Sequence, residues 1–240
     1  MDSLLFAQTT TEAISGQADM FSDLAPPLQV AVLLGALSFA TAMLVSATAF
    51  TRIIIVLSFV RRALSTQEIP PNQVMMGLSM FLTLFVMAPT FETIHDKAVK
   101  PLLESQQNTA EGETPEFGFV DAWTVASEEL KTFMLRNTRT NDLALFFELA
   151  DEPVPSERTD TPMKIVVPAF IISELKTAFI MGFCIYIPFL LIDLVISTIL
   201  MALGMMMMPP VVVSTPCKLL LFVLVDGWQL ISKALVASFA

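Results

Sequence analysis

The sequence predicts an all-α chain of membrane type, built from hydrophobic helical segments, the last of them broken, with a short helical polar segment between them. Three observations predict this. Hydrophobic residues make up 55% of the chain, only 15% are charged and the mean hydropathy is +0.71, whereas an ordinary soluble domain is about 25% charged. Four uncharged or nearly uncharged runs recur along the chain, each near the ~20 residues that cross a bilayer as a helix. Helix-breaking glycine and proline interrupt the last of these runs.

Residues 1–27 form a polar, acidic N-terminal segment that ends at Pro26-Pro27. Within it, Ser3 to Ala7 is apolar but too short to be a signal peptide by itself. Residues 28–91 form the first hydrophobic helical hairpin. Leu28 to Phe50 carries no charge over 23 residues. Arg52 interrupts, and Ile53 to Val60 continues apolar up to Arg61-Arg62. Ser65 to Gln73, with Pro70-Pro71-Asn72, reads as a turn. Val74 to Phe91 is the second uncharged run.

Residues 92–162 are of a different character. Positions 92–160 hold 15 acidic and 6 basic residues, the composition of a solvated segment. Glu111 to Gly118 reads as a loop. Asp121 to Arg136 reads as a helix with Trp123, Leu130, Phe133 and Met134 on one side. Asp142 to Ala150 reads as a second helix, with Leu143, Phe146, Phe147 and Ala150 in register, and Asp151 to Pro162 as a linker. Amphipathic helices must bury their apolar faces on something. Phe133 and Phe146 are therefore candidates for contact with another subunit, with packing inside the chain as the alternative.

Residues 163–240 form the second hydrophobic region. Ile165 to Ile192 is the third apolar segment and carries Glu174 and Lys176. Leu194 to Cys217 is the fourth, 24 residues without a charge. Leu219 to Val225 and an amphipathic tail from Trp228 to Phe239 close the chain. The simplest hydropathy reading is four spans. Arg52, Arg61 and Arg62 cluster after the first run, and the first 27 residues hold no Lys or Arg. The excess of basic residues on cytoplasmic loops places Arg61 and Arg62 inside, and both termini and the acidic segment outside. In a bacterium, outside is the periplasm.

Arg52, Glu174, Lys176, Asp193, Lys218 and Asp226 lie within or beside apolar runs. An ionised group in hydrocarbon costs on the order of 2.5–3.5 kcal/mol, so such groups face protein or water and pair. Glu174 paired with Arg52 or Lys218 would neutralise locally, and Asp193 and Asp226 are further candidates for buried acids. Two alternatives stand beside pairing: snorkelling of Arg52 and Lys218 to an interface, and a proton or ion relay through Glu174 and Asp193.

The break in the fourth run is Gly204, then Met205, Met206, Met207 and Met208, then Pro209 and Pro210. Proline ends a helix because it supplies no backbone N–H. Irregular backbone at membrane depth is tolerated only where protein buries it or a cavity adjoins it. Methionine is flexible and polarizable and re-packs readily. The motif reads as a deformable apolar lining, with core or lipid-facing methionine as the plain alternative.

Several function classes are excluded. A formal charge of −10 offers no basic patch to nucleic acid. His95 is the sole histidine, and Cys184 and Cys217, both in apolar stretches, read as inert buried thiols; together they supply no metal-ligand cluster. HExxH, GxSxG, P-loop and GxGxxG motifs are all absent. The chain is read as a non-enzyme without cofactor.

Longer strings carry a family resemblance. In the first half these are FTRIIIVL at 50–57, PPNQV at 70–74, FLTLFVM at 81–87, FMLR at 133–136 followed by Thr138-Arg139, and DLALF at 142–146. In the second half they are SELKTAF at 173–179, IPFLLIDLVIS at 187–197, MALGMMMMPP at 201–210, Pro216-Cys217-Lys218 and Asp226-Gly227-Trp228. Over residues 28–240 the chain resembles the FliP family, the P subunit of the bacterial flagellar type III export gate. The resemblance implies a helical ring of about five copies, joined head to tail, with FliQ-like subunits and one FliR-like subunit. It implies a pore through which unfolded flagellar proteins leave the cytoplasm across the inner membrane, in the flagellar basal body. It implies that Met205, Met206 and Met207, with Met208 as an extra member, form a gasket at the constriction. It implies further that the ring is lifted toward the periplasm, its helices packing as hairpins instead of four ordinary spans, and that Arg52, Glu174 and Lys218 form charge pairs between subunits. An injectisome gate subunit of the same fold and an ion-coupled transporter subunit are the rival readings.

Overall fold

The computed structural model describes residues 26–66, 69–108, 117–205 and 208–239. Most of the polar segment 1–27, residues 111–116 of the expected loop, and Met206 and Met207 lie outside the described residues. Among the described residues the chain is all-helical, without a strand. It divides into two units, one reaching to Leu44 and the other running from Val45 to the C-terminus. The expected first hairpin of residues 28–91 is thus divided.

Helix α1 (Pro26–Ser46) opens the first unit. It is uncharged and apolar on every side, the pattern of a helix meant for a wholly apolar environment.

The second unit is organised around α7 (Met163–Ala202), a helix of 40 residues. Against it lies α2 (Phe50–Ala63). The buried face of α2 is Arg52, Ile53, Val56, Leu57, Val60 and Ala63, a stripe at helical spacing. On α7 the buried line Val166, Phe170, Glu174, Ala178, Gly182 repeats every fourth residue. Small residues along this line let α2 approach closely. At Gly182 the approach is closest: a Cβ built there would lie 2.5 Å from two ring atoms of Phe59. Phe59 packs edge-on to Phe179 and tilted to Phe183, both with centroids 5.6 Å away.

Past Leu64 and Ser65 the chain returns as α3 (Asn72–Ile94), which packs back on α2. The actual hairpin is α2–α3. Helix α3 does not stop where the uncharged run stops. It continues through a wide, π-helical turn (His95–Val99) into α4 (Lys100–Asn108). Hydroxyls inside this apolar helix are satisfied locally: Ser79 donates to the Met75 carbonyl and Thr83 to the Ser79 carbonyl, each at 2.7 Å.

The acidic segment forms α5 (Phe119–Asn137) and α6 (Thr140–Leu149), close to the expected bounds. Helix α5 starts at Gly118, whose N–H donates to Asp121 Oδ2 at 2.9 Å. Its buried side is Ala122, Phe133, Met134 and Leu135. Trp123, expected on that side, is 67% exposed. It lies one residue beyond Ala122, a helical rotation of about 100° from it. Helix α6 packs Leu143 and Phe147 against α7.

Among the described residues, two helical runs, Asn72–Ser105 and Met163–Ala202, are long and apolar enough to cross a membrane. Helix α8 (Pro210–Leu224) and helix α9 (Gly227–Ala237) would make a third only as a bent pair, at 65°. The expected boundary between the third and fourth apolar runs is corrected here. The third run and the first part of the fourth are one helix, because no breaker stands between Ile192 and Leu194.

Candidate functional site

Two constellations gather the residues singled out in the sequence. The first is a charged clamp in the core. Arg52 stands on the first turn of α2 and Glu174 in the middle of α7. Arg52 Nε donates to Glu174 Oε2 at 2.7 Å, and Nη2 to Oε1 at 2.5 Å. Its Nη1 donates to the Ser238 carbonyl at 2.8 Å and to Ser238 Oγ at 2.9 Å. The guanidinium carbon lies 3.8 Å from the centroid of the Phe239 ring, a cation–π geometry. Arg52 and Glu174 are both buried. Such a bidentate pair, with the remaining donors satisfied, is the arrangement that makes a buried charge tolerable.

The pairing lies within one chain. Helices α2 and α7 bring Arg52 and Glu174, expected to pair between subunits, together across 122 positions of the same sequence. Phe133, a candidate for subunit contact or for packing inside the chain, packs inside it. It is buried, stacked on Phe239 at 6.3 Å and edge-on to Phe170 at 6.1 Å. Phe146 is half-buried against the same core. The role of the chain's last turn went unread in the sequence. Arg52 and Arg136 both hold it, Arg136 Nη2 donating to the Phe239 carbonyl at 2.7 Å. A polar chain beside the clamp ties α6 to α7. Ser173 Oγ donates to Asp142 Oδ2 at 2.6 Å and accepts the Arg139 N–H at 3.0 Å.

The second constellation is the α7–α8 hairpin. Gly204 takes φ +77°, the left-handed region that glycine enters without penalty. Its N–H donates to the Met201 carbonyl and the Met205 N–H to the Leu200 carbonyl, both at 3.0 Å. These two bonds are the Schellman termination of a helix. Pro209 then caps α8 and Pro210 opens it, the position where a missing N–H costs nothing. So the breakers read in the sequence work in pairs: glycine stops α7 and proline starts α8. Met205 and Met208 stand on this connection, both partly exposed.

Lys218, on α8, is buried. Its Nζ donates to Asp193 Oδ2 at 2.5 Å and to Ser65 Oγ at 2.7 Å. Its partner is thus Asp193 and not Glu174, and the pair is again intrachain. Asp193 is half-buried, not a buried acid, since it faces outward past Lys218. Asp226 is exposed. It occupies the left-handed turn between α8 and α9 at φ +50°, a role aspartate fills more readily than most residues. Cys184 and Cys217 are exposed, not buried thiols, because they lie on uncovered sides of α7 and α8. Among the described residues, no group of three or more His, Cys, Asp or Glu could hold a metal ion.

The sequence model of the FliP family matches residues 33–235. This chain belongs to the FliP family. Within it, the chain is 51% identical over 212 residues to the flagellar biosynthetic protein FliP of Bacillus subtilis (strain 168), covering 88% of this chain and 91% of that protein. It is 50% identical over 212 residues to the FliP of Pectobacterium carotovorum subsp. carotovorum, covering 88% and 78%. Against the FliP of Cereibacter sphaeroides it is 45% identical over 233 residues, covering 97% and 72%. The FliP match takes in Arg52, Glu174 and the α7–α8 hairpin, and ends before Ser238 and Phe239.

Proposed function

We propose that this FliP chain is a core subunit of the flagellar type III export gate. In this reading it assembles as a helical ring of about five copies, with FliQ-like and FliR-like partners. The ring passes unfolded flagellar proteins across the inner membrane and stands on its periplasmic side in the basal body. Met205, Met206, Met207 and Met208 form the seal of the closed pore.

The observation that carries this reading is the built termination of α7 and α8 around the methionine run. The Schellman turn at Gly204 and the proline start at Pro210 hold an uncharged, Met-bearing tip between two apolar helices. Methionines contributed by several copies can exclude water and ions by apolar contact. They can also deform around unlike substrates. The ion-relay reading has less support. Glu174 is fully occupied by Arg52, and Asp193 is held by Lys218.

Native mass spectrometry of the chain, extracted in mild detergent after co-expression with its neighbouring genes, tests the assembly. A complex of about five copies with small hydrophobic partners is expected; a lone monomer or dimer refutes it. For the seal, cells carrying Met205→Ala, Met206→Ala and Met207→Ala together are expected to leak ions and become detergent-sensitive. Unchanged conductance removes the seal.

A further inference from the structure

Two contacts fix the register of the α7–α8 hairpin. Phe189 meets Phe222 with ring centroids 6.4 Å apart. Asp193 accepts from Lys218 at 2.5 Å. From the first contact to the second, the step is four residues forward on α7 and four back on α8, the spacing that keeps side chains on one helical face. Continued by one more step, the same register would set Ser197 opposite Ser214. Beyond it lies the methionine connection.

Ser214 has two unusual properties. It is completely buried, and among the described residues its hydroxyl is the buried side-chain polar atom left without a partner. Ser79 and Thr83, by contrast, bond back to carbonyls of their own helix. An unpaired buried hydroxyl opposes folding, so the site is explained by what a small residue permits there. Two small side chains facing each other let helix backbones come close in an apolar setting. Lys218 has its own distinction. Among the described residues, no other side chain of α8 is hydrogen-bonded to a different element. Through Asp193 it holds α8 to α7, and through Ser65 it holds α8 to the turn after α2.

We infer that Lys218 and the Ser197–Ser214 step are the positioning residues of the methionine connection. Lys218 fixes where the arm sits and its sliding register. The serine step sets how closely the two helices run just before the tip. This rests on the reading of the methionines as a seal.

The test uses the full-length chain in its own cells, with Cys184→Ala and Cys217→Ala removing the native thiols. Lys218→Ala is expected to raise ion leak several-fold, as does the control Met205→Ala with Met208→Ala. Adding Ser197→Cys and Ser214→Cys is expected to give an intrachain disulfide, read as a gel shift reversed by dithiothreitol. That crosslink should return the leak of Lys218→Ala to the unaltered level until reductant is added. The offset pair Ser197→Cys with Thr215→Cys should not crosslink. If Lys218→Ala fails to accumulate in the membrane, Asp193→Asn provides the same comparison. Absence of the 197–214 crosslink, or equal crosslinking at 215, overturns the register. A tight Lys218→Ala chain beside a leaky methionine variant overturns the positioning role and leaves the seal standing. If neither leaks, the seal reading fails and this inference fails with it.

Discussion

Arg52 and Glu174 meet through two nitrogens and two oxygens, at 2.7 and 2.5 Å, in a site closed to water. Removing one member strands the other as a buried charge, at a cost of about 3–5 kcal/mol. Glu174→Ala and Arg52→Ala are therefore each expected to unfold the chain in mild detergent or prevent its accumulation. The double change Arg52→Met with Glu174→Leu should be milder than either, because no charge is left unpaired. Thermal unfolding of the purified variants in one detergent checks this. A double variant less stable than both single ones would contradict it.

Gly182 and Phe59 form a lock of shape alone. A methyl group at position 182 would overlap the base of the Phe59 ring, with the Phe59 Cβ itself 3.1 Å away. The ring cannot swing clear, because Phe179 and Phe183 flank it. Gly182→Ala should cost about 1–3 kcal/mol through overpacking. Adding Phe59→Ala should make the alanine at 182 nearly neutral relative to Phe59→Ala by itself. A double-mutant cycle on unfolding midpoints measures this, and strict additivity would refute the lock.

Ser65 serves both a turn and Lys218, and two substitutions separate those roles. Its φ of +56° is left-handed, which costs a side-chain-bearing residue roughly 1–2 kcal/mol. Its hydroxyl accepts from Lys218, and a hydrogen bond to a charged group contributes about 1.5–3 kcal/mol. Ser65→Ala keeps the backbone strain and loses the hydrogen bond. Ser65→Gly loses the hydrogen bond and relieves the strain. Glycine is expected to be the milder change by about 1 kcal/mol, the penalty a Cβ carries in that conformation. Parallel urea titrations of the two variants decide it.

The helices were legible in the sequence because apolar runs and breakers are local signals. Gly204, Pro209 and Pro210 marked the hairpin tip, and α5 and α6 fell close to their expected bounds. What was illegible was non-local. The sequence argument set Lys218 against Glu174, and only the hairpin register, set by Phe189 and Phe222, selects Asp193. Phe133 carries the same signal whether it faces another copy or its own C-terminus. The stack on Phe239 exists only because α9 folds back over a turn at Asp226. Asp226 itself read as a buried acid because its neighbours are apolar, yet the left-handed turn it occupies puts it at the surface.

Gly204 links helix termination to the proposed seal, and its substitutions isolate backbone from packing. Nothing lies within 4 Å of a Cβ built at this position, so a side chain meets no steric obstacle. The whole cost lies in φ +77°. Asparagine enters that region more readily than alanine, and a β-branched residue least readily. The expected order of harm is therefore Gly204→Asn, then Gly204→Ala at roughly 1–2 kcal/mol, then Gly204→Val. Valine favours continuing α7 instead of ending it, which would swing Met205 around the helix axis. Ion leak should follow the same order as unfolding temperature. If packing governed the site, the order would follow side-chain volume, and alanine would be milder than asparagine.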